Sequence, residues 1–397
     1  MSVLQERKKS PASIRLDLLE SWIERNGWAG YDPYDLRSTG LYQSLNRFRV
    51  GKRLAAIIER FFPESSRKFL RIKPQVNAKA IALLASGYFT RFEISGEERY
   101  YRNALDCLNW LESNAQPGYA GACWGYPFDW YTRISIPAGT PSGVVSAVGG
   151  HAFLEAYRVS GDTHFLDIAC SVADFFIHDL NIDRLDSQRA CFSYTPLDHF
   201  HVHNANLFVA AHLYEIASLT GEATYKENAE LAVAYTLSEQ NIDGSWYYWG
   251  HPDRLLYAID HYHTGFILRC LERLYAASGR NDYLKSLDEG FDFYLHNLLE
   301  STGLAKFSPK RPYPVDIHSC SEAILCLSAL ADRFTMASER LSEVTNWVLE
   351  NMQAGDGHFY YRKYPHYTVK IAYFRWGQAW MYWALGTYLK TMGKAGL

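Results

Sequence analysis

Four segments of this 397-residue chain crowd proton-transfer and hydrogen-bonding side chains into short stretches, each ahead of an apolar helical pattern. They are residues 124–133, 194–204, 254–264 and 311–318. In the third, Asp260 is followed by His261, Tyr262 and His263, the densest cluster of acid-base groups in the chain. Two readings stay open there: a proton-transfer site, or an N-capping Asp260 beside core histidines satisfied by hydrogen bonds. In the first segment Asp129 sits between Phe128 and Trp130, an apolar setting that would raise its pKa and suit a general acid. The structural alternative is a carboxylate bonded to Arg133 or to a helix N-terminus. The second segment carries Asp198, His199, His201, His203 and Asn204. Its alternating histidines share a face of an extended chain, but no His-Glu-x-x-His or comparable signature supplies a further ligand, so no metal is expected. Asp316 and His318 repeat an Asp-x-His arrangement that serves equally as a capping device.

Two chemistries fit these residue types. Abstraction of the C5 proton of a uronate needs a group that neutralises the carboxylate, for which His203, Asn204 and Arg133 are candidates, and a base such as Tyr262, His263 or Tyr194. Glycosidic hydrolysis instead needs two carboxylates flanking the bond, with Asp129, Asp198, Asp260 and Asp316 available.

The elements that position these loops follow a repeat. Apolar helices begin near Asn77, Gly149, Asn204, Thr264, Ser319 and Arg375, the later ones about 55 to 60 residues apart. Four are followed by a Ser/Thr-Gly-polar turn (at Gly96, Gly161, Gly221 and Gly279) in which glycine ends the helix, and a second helix returns. Long alternating strand patterns are missing. The expected fold is all-α, an (α/α)6 barrel or toroid of helical hairpins. Residues 71–397 form the toroid, and a helical segment 1–70 packs on or completes it, within one structural domain. In such a ring the inner-helix N-termini open at one end, so the loops converge on one cleft, and the free N–H groups favour an anionic ligand such as a uronate carboxylate.

Composition narrows the ligand. The chain has 11 Trp, 29 Tyr and 21 Phe, more than helix packing requires. Surplus aromatic faces stack on the CH faces of sugar rings, and Trp124, Trp130, Tyr194, Trp246 and Tyr247, with His318 and Arg375, complete the candidate binding set. A net charge of -3 without an extended basic face argues against nucleic acid. Residues 47–73 are locally basic, a surface for an anionic glycan or acidic partner, or a solvated helix face. The first ten residues lack an apolar h-region and no run of about 18 apolar residues occurs, so the expectation is a cytoplasmic protein without a membrane span. Seven dispersed cysteines read as reduced thiols. Nucleotide-binding glycine motifs and a nucleophile elbow are missing, and no cofactor is expected. The segments 240–246 and 353–359 look like the Gln-to-Trp brace of triterpene cyclase toroids, but the acidic protonation motif of those cyclases is not present.

The segments Gly30–Asp35, Trp124–Trp130, Phe192–Pro196, Asp243–Tyr248 and Arg375–Trp380 together resemble the bacterial polysaccharide-biosynthesis family typified by VpsJ, over nearly the whole chain. Residues Ile259–Thr264 are also similar to the aromatic-Asp-Tyr-His-Thr-Thr-His segment in the α/α domain of heparosan glucuronyl C5-epimerases. These resemblances imply work on a bacterial exo- or capsular polysaccharide, in contact with polysaccharide-assembly proteins. The function expected is a carbohydrate-active enzyme acting by uronate C5 chemistry (epimerase or lyase) or by hydrolysis. The alternative is a non-catalytic glycan-binding or scaffold protein.

Overall fold

A computed structural model describes residues 10–252 and 258–394. Arg254 and Tyr257 of the third segment, and most of the amino-terminal stretch read above for a leader, lie outside the described residues.

The first four helices, α1 (Pro11–Asn26), α2 (Gly40–Asn46), α3 (Arg49–Phe61) and α4 (Pro63–Phe69), precede the repeat. Five hairpins follow: α5 (Ala78–Ser95) with α6 (Glu98–Ser113), α7 (Gly143–Ser160) with α8 (Thr163–His178), α9 (His203–Thr220) with α10 (Ala223–Ser238), α11 (His261–Ser278) with α12 (Asn281–Leu298), and α13 (Ile317–Leu330) with α14 (Thr335–Asn351). A π turn, Phe374–Gln378, leads into α15 (Ala379–Lys394). Helices α5, α7, α9, α11, α13 and α15 each pack on the next, and α15 packs back on α5, closing a ring of six. These inner helices are apolar on nearly every face because the outer helices cover one side and the ring fills the other. The architecture is the (α/α)6 toroid.

Local chemistry sets the ends of the inner helices. Side chains of Asn77, Ser142, Asp260 and Asp316 accept hydrogen bonds from first-turn N–H groups, and Gly96, Gly161, Gly221 and Gly279 close the far ends in the left-handed conformation. The second inner helix starts at Gly143, six residues ahead of the expected Gly149, because Ser142 caps it by accepting from the Val145 N–H at 3.2 Å.

The sixth outer position is taken by α1, which packs on α15 and α14. The loops between hairpins make this geometrically explicit. Gly244 has φ +85°, and its Cα lies so close to α12 that an added Cβ would sit 2.2 Å from the Glu289 carbonyl oxygen. Gly357 has φ +108° and approaches α1 in the same way, 2.2 Å from the Leu18 carbonyl oxygen. Gln240 and Gln353 brace the two contacts, their amides donating to Ser286 O and Arg15 O at 3.0 and 2.9 Å. The two segments that resemble the cyclase brace therefore do the same mechanical work, each pinning a loop to the next outer helix. Gly357→Ala is expected to lower stability in urea by about 1–3 kcal/mol through strain and overlap with α1, whereas Gly355→Ala, in open space, stays within about 0.5 kcal/mol of the parent.

Candidate functional site

A cavity of about 290 Å³ opens where the inner helices begin. Lys79 is the second residue of α5, Val144 of α7, Asn204 of α9, Tyr262 of α11 and His318 of α13, and Arg375 is the second residue of the π turn; all six line the cavity. Ring closure thus delivers one side chain from the same helical position of every inner unit. The loops above add aromatic walls, chiefly Tyr34, Tyr126, Trp130, Tyr194, Tyr248 and Trp249.

Asp260 both caps α11 and orients the His263 ring. Its Oδ1 accepts from the His263 N–H at 3.0 Å, and its Oδ2 accepts from the His263 imidazole Nδ1–H at 2.6 Å. Capping of α11 and orientation of the His263 imidazole therefore fall to one carboxylate. Holding Nδ1–H leaves the Nε2 lone pair for the cavity. The ring is held between Tyr248 and Tyr262, with centroids 4.3 and 4.2 Å away. Burial pushes the Tyr262 and Tyr194 phenols well above their usual pKa, so both keep their protons near neutral pH and serve as donors. His261, by contrast, turns into the core, where Tyr294 and the Leu298 carbonyl hold it.

Across the cavity His318 stacks on Trp376 at 4.4 Å and donates from Nδ1 to the Trp376 carbonyl at 3.2 Å. Burial, reinforced by the charges of Lys79 and Arg375, holds its pKa well below the ordinary value, so it is neutral. Arg375 forms a bidentate ion pair with Asp32, at 2.6 and 2.9 Å, and lies over the Tyr126 ring at 5.0 Å. Lys79 is buried against Phe266 and Trp380, with its ammonium 5.7 and 5.2 Å from the ring centroids. Among the described residues that ammonium has no hydrogen bond or ion pair, and burial together with the Arg375 charge lowers its pKa to about 7. Asn204 adds a buried Oδ1 that has no hydrogen-bond partner among the described residues. Lys79, the ion-paired Arg375 and the Asn204 amide therefore line one aromatic chamber.

Of the residues expected at the site, Asp260, Tyr262, His263, Trp130, Tyr194, Asn204, His318 and Arg375 meet in this cavity. Others stand elsewhere. Asp129 is exposed and accepts from the Ala138 N–H at 2.9 Å, so the apolar environment expected from its neighbours is not realised. Asp198 is buried as a loop brace, taking hydrogen bonds from the Tyr194, Thr195 and Phe200 N–H groups and from the Thr195 hydroxyl. Asp316 is similarly committed to Arg362, the Trp376 indole and the His318 N–H. His203 stacks on Tyr235 away from the cavity wall. Trp124 and Trp246 are core residues, their indoles donating to Leu111 O and Thr236 O at 2.8 and 2.9 Å. Arg133 covers the outer side of Trp249, and Tyr248 lines the cavity where Tyr247 was expected. His199 and His201 share Asp183, and among the described residues no group of three His, Cys, Asp or Glu side chains is placed to hold a metal ion. Lys79, Tyr34, Tyr126 and Trp376 were missed. Only Lys79 left a signal, a cation two residues past an N-cap at the head of a run that stays uncharged until Arg91.

The arrangement belongs to a class of helical toroids known from solved structures. Cellobiose 2-epimerase from Bacillus thermoamylovorans superposes with a TM-score of 0.64 at 12% identity, covering 79% of this chain and 88% of its own. The GH76 α-mannanase of Bacteroides thetaiotaomicron gives 0.62 at 12% identity, over 91% and 100% of the two chains. An unsaturated glucuronyl hydrolase specific for heparin gives 0.60 at 11% identity, over 80% and 87%. At these identities the likeness is one of fold. No family description and no curated protein sequence matches the chain.

The Lys79 ammonium has a pH signature. Its folded pKa of about 7 lies below the 10.5 ordinary for a lysine in an unfolded chain, so the unfolded chain binds more protons between those limits and stability rises with pH across them. Lys79→Met is expected to stabilise the protein most below pH 7, on the order of a few kcal/mol, with the gain shrinking toward pH 10.5. Denaturation midpoints across that range check it.

Proposed function

We propose that this chain is a carbohydrate-active enzyme that removes a proton from a sugar carbon beside a carboxylate, as in C5 epimerisation of, or elimination from, a uronate. The observation that carries the reading is the Asp260–His263 pair, joined at 2.6 Å in the wall of an aromatic, cationic cavity. His263 Nε2 is the base. Lys79, when protonated, is the cation available to a carboxylate, with Arg375 beside it held in its ion pair to Asp32, and the ammonium stabilises the charge that builds on the carboxylate oxygens as the proton leaves. Tyr262 or Tyr194, holding its proton, returns one to carbon or gives one to a departing glycosidic oxygen.

Hydrolysis by two carboxylates has weaker support. Among the described residues Asp260 is the only carboxyl group lining the cavity, and it is committed to His263. The carbohydrate-active proteins sharing the fold are in keeping with a saccharide ligand, and the resemblance to the polysaccharide-biosynthesis family supports a bacterial exo- or capsular polysaccharide, or an oligosaccharide from one, as its source.

The test is proton NMR in D2O with a panel of uronate-containing bacterial polysaccharides and their oligosaccharides. Loss of the C5 proton signal or a new vinylic H4 signal is expected, and His263→Ala should slow either change by about 10²–10⁴-fold. Asp260→Asn should do the same while preserving stability within about 1 kcal/mol, because Asn caps a helix as well as Asp. New reducing ends without exchange would replace this reading with hydrolysis. An unchanged spectrum with retained glycan binding would favour the scaffold alternative.

A further inference from the structure

The segment that carries Tyr34 into the cavity wall continues into α3, whose apolar stripe faces outward. The buried positions of α3 are the small residues Gly51 and Ala55. Val50, Leu54, Ile57 and Phe61, spaced i, i+4, i+7 and i+11, are all exposed, Val50 by 77%. Phe48 before the helix and Phe69 at the end of α4 are exposed as well, at 69% and 83%. Eight of the 17 exposed large hydrophobic side chains among the described residues fall between Leu41 and Phe69. So dense an apolar patch marks an interaction surface.

Charge runs beside it. Arg49, Arg53 and Arg60 repeat at i, i+4 and i+11, forming a row along one edge of the stripe. From Arg47 to Lys73 there are nine Lys and Arg against two Glu, a local net charge of +7 in a chain whose total is -3, so the remainder carries -10. The fold holds this segment in place. Arg60 stacks on Tyr364 at 4.2 Å, and Arg67 of α4 pairs with Asp35 at 2.7 Å.

We propose that α3 and the end of α4 form a docking face for an anionic lipid surface, lying in the plane of the bilayer with the apolar stripe in the headgroup–acyl boundary and the arginine row at the lipid phosphates. An amphipathic helix with a basic edge and large exposed aliphatic and aromatic residues has the composition for this. A hydrated anionic glycan would satisfy the arginines but leave the apolar stripe in water. A second copy of the chain would bring one +7 segment against another across a two-fold axis. No helix among the described residues is long and apolar enough to cross a membrane, so the contact is peripheral.

The full chain is floated with vesicles of phosphatidylcholine alone and of phosphatidylcholine mixed with phosphatidylglycerol. Binding is expected only to the mixed vesicles and should weaken with salt. The double variant Leu54→Glu/Ile57→Glu should abolish it with an unchanged melting temperature, and Arg49→Ala/Arg53→Ala should weaken it roughly fivefold per charge removed. Phe69→Ser, outside α3, provides a second apolar variant expected to weaken binding if the double variant misfolds. Failure to bind phosphatidylglycerol vesicles at low salt overturns the proposal, as does binding undiminished in the correctly folded apolar variants. Retention on heparin without vesicle binding would assign the cations to a glycan. A concentration-dependent dimer in sedimentation velocity that Leu54→Glu dissociates would assign the face to a second copy.

Discussion

The buried ion pair between Arg375 and Asp32 is the constraint on which the site depends. It joins residues 343 positions apart, fastening the amino-terminal loop to the turn that begins the last inner helix. A charge pair taken out of water is costly, and removing one partner typically costs about 3–5 kcal/mol, so the contact persists only with its geometry intact. The surrounding loop supplies that geometry. The Asp32 N–H donates to the Asp35 carboxylate at 2.9 Å, and Arg67 bonds both Asp35 and the Asp32 carbonyl. Tyr34 is thereby held over the cavity, and α1, just upstream, completes the outer ring.

From that anchoring follows the electrostatic character of the chamber. The helix N-termini that converge on it carry partial positive charge, Lys79 adds an ammonium whose charge is lost as pH rises through about 7, and Arg375 stands there in its ion pair with Asp32, all within aromatic walls where water screens little. The carboxylate at its edge, Asp260, is tied to His263. Burial works in opposite directions on the neighbours: it keeps His318 neutral and Tyr262 protonated, so the cavity holds a neutral imidazole and a protonated phenol at one pH. The groups divide the labour through their environments, not their identities.

The limits of local reading show in particular residues. Asp129 stands between two aromatic residues in sequence and Asp260 between Ile259 and His261, yet the first is an exposed hairpin brace and the second lines the cavity. Flanking residues do not report solvent exposure when a loop turns back on itself. Trp124 and Trp246 have the composition of sugar platforms, but their loops are drawn against the outer helices by close glycine contacts, at Gly121 and Gly244, and the indoles go with them into the core. Lys79 escaped notice because a single lysine in a helix ordinarily reaches solvent; here the ring covers every side of α5.

What the sequence by itself determined is periodic and local: apolar helices at 3.6-residue spacing, glycine turns that end them, capping side chains that begin them, and polar loops gathered at one end of a ring. Helix propensity, capping and amphipathicity act over a few residues, so they are written in neighbouring positions. Only the tertiary structure decided which residue of each loop faces the cavity, that α1 is the sixth outer helix, and that Arg375 meets Asp32. Those outcomes depend on closing the ring, which brings the second residue of every inner unit to one cavity and selects which neighbours join it, His263 beside Tyr262 and Trp376 beside Arg375.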